Sequence, residues 1–584
     1  MRLTLVLAAA LASATPAAAA PADDFAKLLE DHYAWLLRES PTYATTLGVR
    51  DYDDRIGDLS LAAQDRRAAE AKAFLARLDA IPADGLTDPD RTNHAILKRM
   101  LSETVEGNTY PQRVMLFTTY YGWHQGFASL AEDLPFRTRA DYESYLARLN
   151  LYPRQNDAAL AVTEEAVKGG YTLPCSVLGN YERGISGVIA EDPTKSRFYA
   201  PFLAPKPTAI SDADWAALQA RGRKAIAEVI NPAYAKHLAF YRTRYLPYCA
   251  KADSVSAQKG GAAYYAFRVR AETTTDLTPD QIHDIGLKES ARIRAEMEAV
   301  AKAAGFASRE AFIQDLRTNP VYYAKTPEEL LEKAAAEAKR IDGKMPGLFG
   351  RLPRLPYGVK PIPAEIAEGT TTAYYGQGSP ASGLSGTFYV NTSKLDQRPF
   401  WELPALTAHE SVPGHHNQIA LQQEMELAPF RQNFTQFTAF TEGWGLYSES
   451  LGEMMGIYDT PAKKMGQLSY QAWRAARLVV DTGIHAKGWD KARAVAFMKE
   501  NTALTDANID AEVNRYISWP GQALGYKIGE LKIKELRDKA ERILGAQFDI
   551  RRFHDAVLAN GSVPLSVLEA EIDRWIATYS GPAL

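Results

Sequence analysis

The chain has ten histidines, and three of them fall within eight residues: His409-Glu410-Ser411-Val412-Pro413-Gly414-His415-His416. Neutral imidazoles are zinc ligands, and a carboxylate beside a zinc-activated water can take its proton. The cluster therefore carries the parts of a zinc hydrolase, with His409 as a ligand and Glu410 as general base. In the common His-Glu-x-x-His arrangement the second imidazole lies four residues on, on the same helix face. Here that position is Pro413. On a straight helix His416 returns to the face of His409 but lies about 10 Å along the axis, and His415 points about 120° away. Two ligands of one ion therefore require a deformed helix. Pro413 removes a backbone donor and Gly414 tolerates unusual dihedrals, so looping out this pair restores His-Glu-x-x-His with His415 as second ligand; His416 remains the alternative. The opposing reading has these histidines capping a kinked helix or lying on a polar surface.

A third ligand is sought on a later helix, and Thr441-Glu442-Gly443-Trp444-Gly445-Leu446-Tyr447-Ser448-Glu449 is the candidate. Glu442 sits among Phe437, Phe440, Trp444 and Leu446, where an unpaired carboxylate is expensive to bury; either a metal or a basic partner removes that expense. Glu449 is two turns further on the same face, either supporting the site or solvated. Arg477, Asp481 and His485 recur at four-residue spacing. This polar stripe either contacts substrate and orients the metal ligands or is an ion pair beside a satisfied histidine. In Arg515-Tyr516-Ile517-Ser518-Trp519-Pro520-Gly521-Gln522-Ala523-Leu524-Gly525-Tyr526-Lys527, Gln522 and Tyr526 share a helix face. A neutral phenol O–H can hydrogen-bond a developing oxyanion, although a tyrosine at helical spacing is ordinarily core. His485, Arg515, Gln522 and Tyr389 are the candidate substrate-binding residues, with Arg515 and Lys527 among the charges that could close a cleft.

With these motifs the sequence resembles the bacterial family labelled as a domain of unknown function, number 885. The resemblance rests on His409-Glu410-x-x-Pro413-Gly414-His415, on Glu442-Gly443-Trp444, and on the stretch from Arg515 through Trp519-Pro520-Gly521-Gln522-Ala523 to Tyr526, and it extends over nearly the whole chain after the leader. That family is similar to helical zinc peptidases such as angiotensin-converting enzyme, thimet oligopeptidase and the thermostable carboxypeptidases. The similarity implies a mostly helical, cleft-containing fold with one Zn2+, held by His409, His415 and Glu442, with Glu410 as general base and Tyr526 as a catalytic hydrogen-bond donor.

The elements that must position these groups read as helices. Segments near 23–39, 62–78, 211–245, 278–304 and 326–343 carry apolar residues at three- and four-residue spacing, and Thr278-Pro279-Asp280-Gln281 spells a helix start with a capping box. The pattern breaks between Gly347 and Phe400, where prolines, glycines and threonines gather and Thr387 to Asn391 alternates like a strand. This predicts a mainly α, bilobed fold with a small β sheet or hairpin before the metal-binding helix, in which Thr387–Asn391 is an edge strand that pairs with a peptide. A polar stretch at Lys251–Ala262 suggests lobes of 23–255 and 256–584.

The leader, with Arg2, an apolar stretch from Leu3 to about Ala12 and then small residues, reads as a signal peptide over 1–22, cut between Ala19 and Ala22; the product is periplasmic or secreted. Its apolar stretch is shorter than the roughly 20 residues of a spanning helix, and no later segment is longer. Sixty-seven Lys and Arg against 71 Asp and Glu give a net charge of −4, without the basic footprint that nucleic acid requires. Cys175 and Cys249 are the two cysteines, either joined as a disulfide or buried as thiols, and two thiolates cannot build a metal site. The expected function is a zinc peptidase acting on short peptides. A zinc hydrolase of non-peptide esters or amides, and an inactive binding protein, are the alternatives.

Overall fold

The computed structural model describes residues 21–580 apart from 133, 381 and 382. The expected leader lies outside the described residues except for Pro21 and Ala22, which open the first helix. The helices used below are α1 (Pro21–Glu39), α2 (Leu61–Asp79), α3 (Asp88–Gly107), α4 (Arg139–Gly169), α5 (Gly261–Thr273), α6 (Pro279–Ala303), α7 (Pro327–Asp342), α8 (Leu403–Glu410), α9 (His415–Glu424), α10 (Thr438–Ser450), α11 (Pro461–Lys487), α12 (Asp506–Ser518), α13 (Gly525–Leu544) and α14 (Leu565–Ser580). The predicted segments recur within one or two residues as α1, α2, α6 and α7, and as a continuous rod over 212–245 that contains two π-helical turns, Ile226–Ile230 and Tyr241–Tyr245. At α6 the Thr278 hydroxyl accepts from the Gln281 amide while the Gln281 side chain accepts from the Thr278 amide, satisfying two end groups that helical bonding leaves open.

Three strands interrupt the helices: β1 (Tyr357–Pro361), β2 (Ala373–Gly376) and β3 (Gly386–Val390), in the order β1-β3-β2. β3 runs parallel to β1 and antiparallel to β2, with Phe388 opposite Val359 on one side and Tyr375 on the other. The expected edge strand is therefore the central one. Both its edges are already paired and Phe388 and Val390 are buried in the core, so it cannot accept a peptide. The outer strand beside the candidate site is β2.

Neither main core stops near residue 255. One packs Tyr145, Leu149 and Tyr152 of α4 with Phe388, Leu406, Trp473 and Tyr516; the other packs Phe25, Ile96 and Leu97 with Trp444, Tyr447, Ile533 and Leu568. Helices from both ends of the chain thus support the central elements. Cys175 and Cys249 form a disulfide with Cα atoms 5.1 Å apart, beside a bridge between Pro174 and Ala250. Among the described residues no helix is long and apolar enough to cross a membrane.

Candidate metal centre

The deformation demanded by the histidine spacing is a complete break. α8 ends at Glu410 and α9 starts at His415; between them Ser411 (φ −103°, ψ −110°) and Gly414 (φ −76°, ψ −128°) leave helical geometry, and the Val412–Pro413 peptide is cis. The turn is fastened from both sides. The Ser411 amide and hydroxyl both donate to Thr407 O, and Trp444 Nε1 donates to Pro413 O at 2.8 Å. A Cβ on Gly414 would lie 1.9 Å from His409 O, so only glycine permits this close return. The result sets the His415 ring 4.7 Å from that of His409, nearly perpendicular to it. His416 is turned away, with Nδ1 3.0 Å from the Tyr375 hydroxyl and Nε2 2.9 Å from Leu355 O.

α10 completes the cluster. Glu442 Oε2 lies 3.3 Å from His409 Nε2 and 3.2 Å from His415 Nε2. Gly443 lets α10 approach α13 at Gly529, where a Cβ would come within 2.6 Å of backbone, and a Cβ at Gly445 would strike the His409 ring at 2.7 Å. The Glu-Gly-Trp-Gly string thus provides, residue by residue, a donor, a close helix contact, the clamp on Pro413 and room for an imidazole. Glu449, also on α10, is fully buried and lies 2.9 Å from His409 Nδ1 and 3.1 Å from Arg474 Nη2. With Nδ1–H donating to Glu449, the Nε2 lone pair of His409 is directed to the cluster. Burial alone would lower the His409 pKa, but the Glu442 and Glu449 carboxylates outweigh it and lift it to about 9. Burial likewise opposes ionisation of Glu442, and His415 and His409 reverse this, holding Glu442 well below the usual carboxylate range.

The donor set fits a zinc ion. Two imidazole nitrogens and one carboxylate oxygen lie within 4.8 Å of one another, and atoms each about 2.0–2.1 Å from one tetrahedral zinc are about 3.3 Å apart. The cluster borders a cavity of about 260 Å³ whose wall includes Glu410, Arg474, Arg477, Arg515, Gln522 and Tyr526, together with Tyr120 and the segment 371–375 that leads into β2. Tyr526 stacks on His409 with ring centroids 6.1 Å apart, and its oxygen accepts from Arg515 Nη2 at 3.0 Å, leaving its own proton free to be donated. Burial raises the Tyr526 pKa and the Arg515 charge offsets part of that rise, so the phenol stays protonated.

Other sequence-predicted residues lie elsewhere. His485 is fully buried; its Nδ1 accepts from the Val255 amide at 3.1 Å and its Nε2 donates to Tyr516 O at 3.0 Å, so both ring nitrogens are committed to the backbone and none is left for substrate. Asp481 accepts from the Tyr265 hydroxyl and the Gly521 amide. Lys527 is buried against Glu530 and Gln471 and closes no cleft. Tyr389, on the central strand, stacks on Tyr374 with its hydroxyl 3.5 Å from Glu132, and is not part of the cavity wall. The wall contains groups that the sequence pattern did not single out. Arg474 precedes the recognised stripe by one turn in Tyr470-x-x-Trp473-Arg474-x-x-Arg477, and Thr371-Thr372-Ala373-Tyr374-Tyr375 has the β-rich composition of a strand. Nothing in the sequence marks Tyr120, which lies far before His409 in the chain.

Fold and site together define a predominantly helical protein with two buried histidines and a half-buried glutamate clustered at the wall of a cavity. The chain belongs to the family of bacterial proteins of unknown function called DUF885, which matches residues 41–572. Its structure is similar to that of a candidate lipoprotein from Colwellia psychrerythraea, with a TM-score of 0.88 and 26% identity over 96% of this chain and 100% of the other. It shares its fold with a candidate lipoprotein of unknown function from Shewanella oneidensis, with a TM-score of 0.66 and 19% identity over 94% and 99% of the two chains. No curated protein matches significantly.

Proposed function

We propose that this protein is a zinc-dependent peptidase of the cell envelope, acting on short peptides. The observation that carries the reading is the convergence of His409, His415 and Glu442 within 4.8 Å at the wall of a cavity that also presents Glu410 and Tyr526. The three residues would hold Zn2+, which when bound supplies Lewis acidity to a water and to a scissile carbonyl. Glu410, next in sequence to the first ligand, takes the proton of the attacking water on its carboxylate and passes it to the leaving amine. Tyr526 donates its phenol proton to the oxygen on which negative charge develops, and Arg515, donating to the same phenol oxygen, orients that O–H and sharpens its acidity. β2 is the outer strand and its approach lines the cavity, so an extended peptide backbone can pair there; this favours a peptide over a small ester. The disulfide suits an oxidising compartment, and the candidate lipoproteins of the same fold are consistent with an envelope location.

The test is metal analysis of purified protein followed by exposure to a mixed peptide library read by mass spectrometry. Stoichiometric zinc, cleavage that chelation abolishes and zinc restores, and products from short peptides are expected. A zinc-loaded protein that leaves every peptide intact overturns the reading.

A further inference from the structure

Away from the metal ligands, the cavity wall holds more positive charge than its own carboxylates neutralise. Arg477 and Arg515 are 1% and 5% exposed and share one glutamate, Glu512, which is fully buried. Arg477 Nη2 donates to Glu512 Oε2 at 2.8 Å and Arg515 Nη1 to Glu512 Oε1 at 3.3 Å, so both carboxylate oxygens are already used. The remaining contacts are neutral: Tyr516 accepts from Arg477 Nε, and Gln522 and Tyr526 accept from Arg515 Nη2. Among the described residues Arg477 Nη1 and Arg515 Nε make no hydrogen bond, and the two guanidiniums otherwise rest on the neutral rings of Trp473, Tyr516, Tyr526 and Tyr120. Glu410 and Glu442 belong to the metal centre and Glu449 is shared by His409 and Arg474, so they do not balance this pair. A buried guanidinium without a matching anion is strongly unfavourable, and two guanidiniums with one carboxylate are a receptor for a second.

The pair is close to the chemistry. The Tyr526 ring lies 4.1 Å from the Arg477 guanidinium carbon and 6.1 Å from the His409 ring, and a peptide advances at most about 3.6 Å per residue. We infer that Arg477 and Arg515 receive a carboxylate of the substrate, namely the free carboxyl terminus of a peptide, so that cleavage releases a short fragment from that end. An acidic side chain offers the same chemistry and is the competing source. The inference rests on the peptidase reading for what is cleaved, but not for what is bound.

Binding is measured by calorimetry on the zinc-loaded Glu410→Gln protein with three probes: N-acetyl-tetra-alanine as the free acid, the same peptide as its carboxy-terminal amide, and that amide with aspartate as its last residue. The free acid should bind about 10- to 100-fold more tightly than either amide, and Arg515→Gln and Arg477→Gln should each remove most of that preference. Equal affinity for acid and plain amide, failure of all three to bind, or a preference that survives both arginine substitutions overturns the inference. An aspartyl amide that binds as well as the free acid overturns the terminal assignment in favour of a side chain. The comparison of acid with amide on the intact pocket needs no arginine variant to fold. Acid preference in binding without cleavage by the unsubstituted protein removes the peptidase reading alone, whereas equal cleavage of acid and amide removes this inference alone.

Discussion

His409 and His485 are both buried on helices of the same core, yet their surroundings differ in one respect that decides their roles. At His485 both ring nitrogens are engaged by backbone groups, Val255 N–H and Tyr516 C=O. At His409 one nitrogen is fixed by a carboxylate and the other faces a second imidazole and a second carboxylate. His416, one residue from a cluster member, falls with His485, since the Tyr375 hydroxyl and Leu355 O occupy its ring. Burial pushes His485 down to about 4, whereas the two glutamates push His409 up to about 9. A histidine is available to a metal when its second nitrogen lacks a protein partner other than further ligands, and neither spacing nor burial reveals that.

The contrast is broken most severely by removing the proposed ligands. His409→Ala and His415→Ala should each abolish stoichiometric zinc binding, while His416→Ala and His485→Ala should retain the metal, as read by metal analysis after dialysis. His485→Ala would instead strand two buried backbone groups, at about 1–3 kcal/mol each, and would lower the unfolding midpoint. Retention of zinc by His415→Ala together with its loss in His416→Ala would exchange the two assignments.

Within the cluster, binding and chemistry separate at Glu410. Glu410→Gln should keep zinc and lose about 10²- to 10⁴-fold in kcat, the usual worth of a positioned general base. Near-normal turnover would end the mechanism in its present form. Tyr526→Phe comes next, because it removes a donor and keeps the ring against His409. Single-turnover and steady-state assays should show kcat and kcat/KM falling together by about 10²- to 10³-fold with little change in stability.

The same contrast explains what was legible beforehand. The helices at 21–39, 61–79, 279–303 and 327–342 follow from local periodicity and caps, which a single segment carries in full. His409, Glu410, His415 and Glu442 could be proposed because zinc chemistry restricts residue types so sharply. Proline and glycine marked the place of the break but not its extent, which depends on Trp444 reaching Pro413 from another helix. The strand at 386–390 was readable and its position in the sheet was not, since order depends on pairing with segments before it in the chain. Arg477, Asp481 and His485 have the spacing of a functional stripe, and only tertiary partners separate them: Arg477 reaches the cavity wall while Asp481 and His485 hold backbone.

The smallest expected effect concerns the structural histidines and sets their sign apart from that of a ligand. Burial lowers His32 and His485 to about 4 and His124 and His554 to about 3, below their ordinary value of 6.5. The folded protein keeps these rings neutral where the unfolded chain would protonate them. Their contribution to stability is therefore fully present above pH 6.5 and is lost as pH falls from there toward 4. Asp481 and Glu402, both raised to about 7 by burial, act in the opposite direction across the same range, because the fold holds their protons more tightly than the unfolded chain does. Burial lowers His416 (to about 4), His237 and His283 as well, so more histidines than carboxyls are displaced and the unfolded chain binds more protons across this range, at about 1.4 kcal/mol per pH unit for each net proton. Chemical denaturation of the metal-free protein, measured between pH 6.5 and 4, should show the unfolding midpoint dropping steadily. His485→Gln, which can still donate and accept one hydrogen bond each, should flatten that slope by about one proton. A slope unchanged by His485→Gln would mean that His485 protonates inside the fold, and its distinction from His409 would then rest on hydrogen bonding alone.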